Sequence, residues 1–155
     1  MEPRDPSNAP EALGGNADIV LDTGVLVEYL TETHNPITEW LNMHLFNDGS
    51  QIKLHASEMT RCELLYLLCR ENGMHLARET VEKMQRYIKF HAELELTELA
   101  ARIKCDFSMA LADCFSIAVG LHLDCLVLFL QEKELPRTML EEIRARHGAR
   151  IAVLR

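Results

Sequence analysis

The 155-residue sequence lacks the long apolar run and the closely spaced cysteine pairs that mark membrane and zinc-binding proteins, and we do not expect its first residues to be a secretory signal. No run approaches 18 apolar residues, so we expect no membrane span. The five cysteines are never closer than seven residues, which disfavours a zinc knuckle or a thioredoxin-like site. Most cysteines lie in apolar runs, and we expect small buried side chains in a reducing, cytoplasmic location. The first 15 residues hold no basic region followed by an apolar stretch, unlike a signal peptide.

The chain also lacks the short motifs of several large enzyme classes. It contains no GxGxxG after its first predicted strand, no GxxxxGK[ST], no GxSxG and no HExxH. A dinucleotide site, a P-loop NTPase, a nucleophile-elbow hydrolase and a zinc protease are therefore all disfavoured. The formal net charge of −8 argues against nucleic-acid binding over the whole surface, but it permits a local basic rim.

What the chain does contain is a globular composition with a regular pattern of elements. Apolar residues make up 48% and charged residues 26% of the sequence. Residues 1–16 hold three of the five prolines and are predicted to be a mobile tail, which leaves 17–155 as a single domain. Short apolar strands alternate with helical patterns, and this predicts an α/β fold of three layers, with a parallel sheet between helices. The predicted strands are 18–22, 52–56, 89–94, 125–130 and 149–154.

Carboxylates stand at structured positions in this pattern. Asp22 closes the first predicted strand, and Glu132 follows the fourth. If these two strands are neighbours, both side chains emerge in one crevice beyond the carboxyl ends of the strands. Glu63 and Asp113 lie among apolar neighbours in predicted helices. Carboxylates brought close together repel, and a hard divalent ion such as Mg²⁺ or Mn²⁺ would remove that repulsion.

Each carboxylate also has a structural interpretation. Asp22 is placed to cap the following helix, and Glu63 lies three residues after Thr60, at the capping-box spacing. Asp113 is placed to cap a helix that starts at the next residue, and Glu132 lies in a polar stretch that suits a solvated turn. The set of four, more than any single residue, favours a functional site.

Four segments resemble the motifs of the PIN-domain family, and most closely its toxin-type branch, VapC. "IVLDTGVLVEYL" is similar to the strand that ends in Asp-Thr and runs into an apolar helix, with Asp22 and Thr23. "HASEMTRCELLYLLCRENG" resembles the helix in which a Glu, here Glu63, precedes a leucine-rich stretch. "LADCFSIAVG" resembles Leu-x-Asp-x-x-x-x-Ala, with Asp113. In the fourth segment, "FLQEKEL", Glu132 replaces the usual Asp.

The resemblance covers residues 18 to about 154 and implies several properties. It implies five parallel strands between helices and a metal-dependent endonuclease that uses one or two Mg²⁺ or Mn²⁺ ions to cut single-stranded or structured RNA. It also implies a homodimer and, in the toxin branch, an antitoxin protein whose tail blocks the site.

These properties give a hypothesis for individual residues. The ion orients the scissile phosphate and lowers the pKa of the attacking water. Thr23 positions the substrate or a water through its hydroxyl, and Arg61 and Arg70 contact flanking phosphates. The ion is held by Asp22, Glu63, Asp113 and Glu132.

Two other interpretations stay open. A PIN-like module that is weak or inactive because its fourth motif departs from the family would bind RNA or a protein partner, and chelators would not affect it. A receiver-like signalling domain would need a phosphoacceptor Asp at a strand end and a Lys after a late strand. Lys133 fits that second requirement, but the adjacent acidic pair near the end of the first strand is absent.

Overall fold

Five parallel strands form the centre of the domain in a computed structural model of the chain, which describes residues 16–31, 35–130 and 135–154. The strands pair in the order β3-β2-β1-β4-β5, and each pairing is parallel. β1 therefore lies between β2 and β4, as the crevice hypothesis requires. The strands are β1 (Asp18–Leu21), β2 (Lys53–Ser57), β3 (Ile88–His91), β4 (Leu126–Leu130) and β5 (Arg150–Leu154).

Helices cover both faces of the sheet, which confirms the predicted three-layer α/β/α fold. Two separate apolar clusters fill the two interfaces, and α1 to α4 contribute to one while α5 to α7 contribute to the other. Alternation along β1 sends Ile19 and Leu21 into the first cluster and Val20 into the second. The helices among the described residues are α1 (Thr23–Thr31), α2 (Pro36–His44), α3 (Glu58–Asn72), α4 (Met74–Met84), α5 (Glu95–Asp106), α6 (Leu111–Leu123) and α7 (Arg137–His147).

Local sequence signals explain where the helices begin and end. The Ser57 hydroxyl accepts a hydrogen bond from the Thr60 amide at 3.0 Å and caps α3, and Gly73 ends that helix with a φ of 86°. The helical pattern of residues 75–88 predicts that α4 continues to residue 88, but the helix ends at Met84. Ile88 instead begins β3 and pairs in register with Leu54 on β2, because its apolar side chain belongs to the sheet core.

The fourth strand is buried at all five positions, as its lack of polar residues predicts. The domain packs α6 closely against this strand at Gly120. A Cβ atom at that position would lie 2.2 Å from Cγ2 of Val127 and 3.2 Å from the carbonyl oxygen of Cys125. Only glycine fits this contact without movement of the helix or the strand.

The expectation that most cysteines are buried is wrong. Cys62 and Cys105 are exposed and Cys69 is partly exposed, because each lies on the outward face of its helix. Cys114 and Cys125 are buried, and burial raises the pKa of each thiol to about 11. Among the described residues, no helix is long and apolar enough to cross a membrane. The predicted tail lies outside the described residues except for its last residue, 16.

Candidate functional site

Asp22 lies at the junction between the central strand and the first helix. Its amide donates to the Leu128 carbonyl oxygen at 3.1 Å, which continues the β1–β4 ladder one residue past β1. Its side chain is only 2% exposed. The Ser116 hydroxyl donates to Oδ1 at 2.6 Å, and the Gly24 amide donates to Oδ2 at 3.4 Å. Asp22 therefore offers the start of α1 a long, cap-like hydrogen bond, and its carboxylate is also anchored to α6 on the other face of the sheet.

The environment of Asp22 opposes its negative charge. Burial raises the pKa of this carboxyl group, and the nearby carboxylate of Glu63 raises it further. Hydrogen bonds from Ser116 and from the amides of Gly24 and Thr23 act in the opposite direction but do not cancel the effect of burial. A positive charge at this position would relieve the unfavourable burial of the carboxylate.

A chain of hydroxyl groups holds Glu63 in place. The Thr23 hydroxyl donates to Oε1 of Glu63 at 2.7 Å and lies 3.0 Å from the Thr60 hydroxyl, which in turn lies 3.3 Å from that of Ser57. Because Ser57 caps α3 and Glu63 lies in its second turn, the capping-box interpretation of Glu63 is wrong. Thr23 contacts Glu63 directly, so it orients this carboxylate.

Asp113 lies in the first turn of α6, one turn before Ser116. The helix begins at Leu111 with Ala110 at its N-cap, so the interpretation of Asp113 as the cap of a later helix is wrong. Its residue exposure is 7%. Residues three apart on a helix project from the same face, so Asp113 and Ser116 are both directed to the region around Asp22.

Three of the predicted carboxylates, one directly after β1 and the others on α3 and α6, meet at one cavity of about 330 Å³. No lysine, arginine or histidine of the described residues lines it. We refer to it as the acidic cavity. Its lining residues are Asp22, Thr23, Gly24, Val27, Glu28, Glu63, Leu67, Ala110, Asp113 and Leu130.

Sequence reasoning missed three residues of this site. Glu28 adds a further carboxylate to the acidic cavity and accepts a hydrogen bond from the Asn35 side chain at 3.1 Å. Ser116 and Thr60 contact Asp22 and Thr23. A signal was present for each, since Glu28 lies four residues after Gly24, Thr60 three before Glu63, and Ser116 three after Asp113, the spacings that place residues on one helical face.

Two predicted site residues, Arg61 and Arg70, do not line the acidic cavity. The Arg61 guanidinium forms an ion pair with Glu58, with its Nε 2.7 Å from the Glu58 carboxylate. The Arg70 guanidinium lies 4.9 Å from the centroid of the Tyr66 ring. Glu132 lies outside the described residues.

The donor set of the acidic cavity fits a hard cation. As placed, the described His, Cys, Asp and Glu side chains do not form a preassembled group of three or more metal ligands. Mg²⁺ usually takes only one or two protein carboxylates and completes its shell with waters and substrate phosphates. The buried Asp22, with its raised pKa and no described cation beside it, is the observation that favours such an ion.

Comparison with known families and structures gives a consistent result. The family described as the PIN domain matches residues 19–139. A search of the curated proteins found no significant match.

Several solved structures share the fold. A chain in the structure of VapBC2 from Rickettsia felis, bound to a DNA fragment from their promoter, is 8% identical, with a TM-score of 0.63, and the match covers 89% of this chain and 99% of that chain. A chain of DNA-bound VapBC from Salmonella typhimurium is 14% identical, with a TM-score of 0.61, and the match covers 89% of this chain and 98% of that chain. A chain of VapBC-1 from nontypeable Haemophilus influenzae is 10% identical, with a TM-score of 0.60, and the match covers 88% of this chain and 98% of that chain. At these identities the similarity shows a shared fold.

Proposed function

Because the chain belongs to the PIN-domain family, we propose that it is a divalent-metal-dependent endoribonuclease and the toxin of a toxin–antitoxin pair. One observation carries the proposal. Asp22, Glu63 and Asp113 come from three separate segments of the chain and line one cavity, where the carboxylate of Asp22 is buried. The substrate that best matches this arrangement is a phosphodiester, which reaches such a cavity together with a divalent ion.

The residues of the acidic cavity have separate tasks in this proposal. Asp22, Glu63 and Asp113 hold the ion, and Glu132, outside the described residues, is the fourth proposed ligand. When bound, Mg²⁺ or Mn²⁺ supplies Lewis-acid stabilisation of the phosphate and of the departing 3′ oxygen. Ser116 fixes the carboxylate of Asp22, and Thr23 fixes that of Glu63. These two hydroxyls keep both side chains in one orientation before any ligand arrives.

An antitoxin is the proposed protein partner. The similar solved structures are VapBC and FitAB assemblies, several of them bound to DNA. An apolar groove between α1 and α3 supports such a partner, since it adjoins the acidic cavity along Val27 and Leu67 and continues over Leu30, Leu64 and Leu68. A segment seated there would cover the entrance to the carboxylates. A homodimer is proposed on the family resemblance, and sedimentation or light scattering tests it.

Cleavage of a pooled RNA in Mn²⁺ or Mg²⁺, with and without a chelator, tests the proposed activity. We expect cleavage by the wild type that requires the metal, and loss of cleavage in Asp22→Asn and Asp113→Asn. The matched control is Asp124→Asn, an exposed Asp in left-handed backbone that asparagine also adopts. This control should cleave like the wild type.

Two results would contradict the enzyme proposal. Cleavage by Asp22→Asn at the wild-type rate would remove the acidic cavity from the reaction. RNA binding that chelators do not change, with no cleavage in either metal, would favour the inactive PIN-like binding module.

A further inference from the structure

A second and larger cavity, of about 500 Å³, lies at the opposite edge of the sheet. It opens where β2 and β3 begin, beside the turn that joins α4 to β3. Since β1, β2 and β3 are parallel, the start of β2 and the end of β1 at Asp22 lie at opposite edges. A strand of four residues separates these edges by roughly 13 Å. The proposed nuclease site does not use this second cavity, which we call the basic cleft.

The charge of the basic cleft is opposite to that of the whole protein. Lys53, Arg86 and Lys89 line it and are exposed, whereas no Asp or Glu of the described residues does so. The chain carries 24 acidic and 16 basic residues, so a concave surface with cations alone is unusual for it. A local positive potential of this kind attracts anions even when the net charge is negative.

The three cations of the basic cleft are not used by the fold. Within the described residues, none of them forms an ion pair. Many other arginines in the described ranges are paired with a carboxylate, namely Arg61, Arg102, Arg137, Arg146 and Arg150. The nearest strand carboxylate, Asp18, is in register with Lys53 but is bonded to Nε2 of His55 at 2.8 Å.

The register of β2 and β3 places two of these cations, Lys53 and Lys89, on one face of the sheet. Lys53 and His55 are two residues apart on β2, and Lys89 pairs with His55 across the sheet, so all three project from the same side. Tyr87, in the preceding turn, also lines the basic cleft and is 48% exposed. The cleft thus combines cations with an accessible aromatic ring and polar groups from Asn47, Ser50 and Gln85.

We propose that the basic cleft binds the phosphate backbone of single-stranded nucleic acid, with Tyr87 available to stack on a base. Cations beside an exposed aromatic ring are the combination by which single strands are bound without sequence preference, and the ring favours a nucleic acid over an acidic peptide. The inference rests on the proposed function in taking RNA as the natural ligand. It gives the RNA a contact remote from the carboxylates, so a long strand can be held at two edges of the sheet.

Fluorescence anisotropy with a labelled single-stranded RNA of about 30 nucleotides tests the proposal, a length above the ~4–16 nucleotides of a typical binding module. The full chain is titrated in EDTA, so that binding is measured whether or not the carboxylates cleave RNA. For Lys53→Gln/Arg86→Gln/Lys89→Gln we expect roughly 100-fold weaker binding in about 0.1 M salt. The slope of log K against log salt should become less negative by about 2, since each phosphate contact to a single strand contributes about 0.7 and the variant removes three cations. Tyr87→Ala should weaken binding roughly tenfold.

The matched control is Arg78→Gln/Lys83→Gln, which removes two exposed cations of α4 that line no part of the cleft. If this control loses as much affinity as the cleft variant, or if the cleft variant binds with an unchanged salt slope, the proposal is overturned. Equal competition by polyglutamate, or by inorganic phosphate at the same phosphate concentration, would also overturn it. A wild type that binds RNA through the cleft but never cleaves it would contradict the proposed nuclease alone.

Discussion

Nδ1 of His55 and Nε2 of His91 lie 2.8 Å apart inside the domain. The outer nitrogens of the same two rings contact carboxylates, His55 Nε2 with Asp18 at 2.8 Å and His91 Nδ1 with Glu93 at 2.8 Å. A carboxylate accepts hydrogen bonds, so each outer nitrogen carries a proton. The contacts therefore form one chain of groups that runs from Asp18 through both rings to Glu93.

We predict that ¹⁵N and ¹H NMR of histidine-labelled protein will show a slowly exchanging ring proton on each outer nitrogen, Nε2 of His55 and Nδ1 of His91, because each contacts a carboxylate. The hydrogen bond from His91 lowers the pKa of Glu93, as expected for a carboxylate that accepts a hydrogen bond in its ionised form. An outer nitrogen without a proton on either ring would contradict these hydrogen bonds.

The same chain of groups should stabilise the domain, since it joins β1, β2 and β3. His91→Ala leaves Nδ1 of the buried His55 without its partner, and we expect a loss of about 1–3 kcal/mol in the free energy of unfolding. Urea denaturation measures this loss. His75→Ala is the control, because the His75 side chain is 86% exposed and its substitution should change stability little.

Asp22→Asn should separate the stability of the protein from its activity. The pKa of Asp22 is raised in the folded state, so the folded protein loses stability as the pH rises from about 3.8 through that raised value and Asp22 ionises. Asparagine keeps an oxygen for the Ser116 hydroxyl and has no charge to bury. We therefore expect Asp22→Asn to have the higher Tm at neutral pH, and the difference to vanish near pH 4.

Metal binding should reverse that order of stability. Mg²⁺ at about 100 times its Kd would stabilise the wild type by about 2.7 kcal/mol, and the variant should gain less. RNA cleavage by the variant should fall about 100-fold or more, because the ion supplies several kcal/mol to the transition state. Equal metal-induced Tm shifts in both proteins would show that Asp22 is not a ligand.

Thr23 is predicted to act through Glu63. Thr23→Val has nearly the same shape but removes the hydroxyl that donates to Oε1 of Glu63, whereas Thr23→Ser keeps it. Groups that orient metal ligands typically contribute 10- to 100-fold in metal affinity or activity. We expect a rise of that size in the Mn²⁺ concentration needed for half-maximal Tm shift in Thr23→Val, with rescue in Thr23→Ser. An unchanged Mn²⁺ dependence in the valine variant would assign Thr23 to packing alone.

Much of the sheet and part of the acidic cavity followed from local patterns. The uninterrupted apolar run of β4 predicted a strand that is buried on both faces, and it is. The position of Asp22 predicted a carboxylate in a crevice on the condition that β1 and β4 are neighbours, and the two strands do pair. The assignment of Glu63 and Asp113 to the site required the family motifs as well, because an acidic residue near the start of an apolar helix is also a common helix cap.

The features that sequence reasoning missed depend on register and on exact helix starts. Gly24 and Glu28 lie one turn apart on α1 and line the same cavity, and α1 begins at Thr23, two residues earlier than the helical pattern from Val25 indicates. The contact between His55 and His91 depends on which residues of β2 and β3 are paired, and no local pattern fixes that register. Tertiary packing decides both.

Gly120→Ala should destabilise the domain although alanine favours helices by about 1 kcal/mol over glycine. The added methyl would lie 2.2 Å from Cγ2 of Val127, a side chain that is fully buried, so α6 or β4 has to move. Overpacking of this kind typically costs about 1–3 kcal/mol, which exceeds the gain in propensity.

Urea denaturation of Gly120→Ala, Val127→Ala and the double variant measures the coupling between the two positions. The smaller side chain at position 127 makes room for the methyl, so the double variant should lose less stability than the sum of the single variants. Additive losses would show that the contact between α6 and β4 does not require glycine.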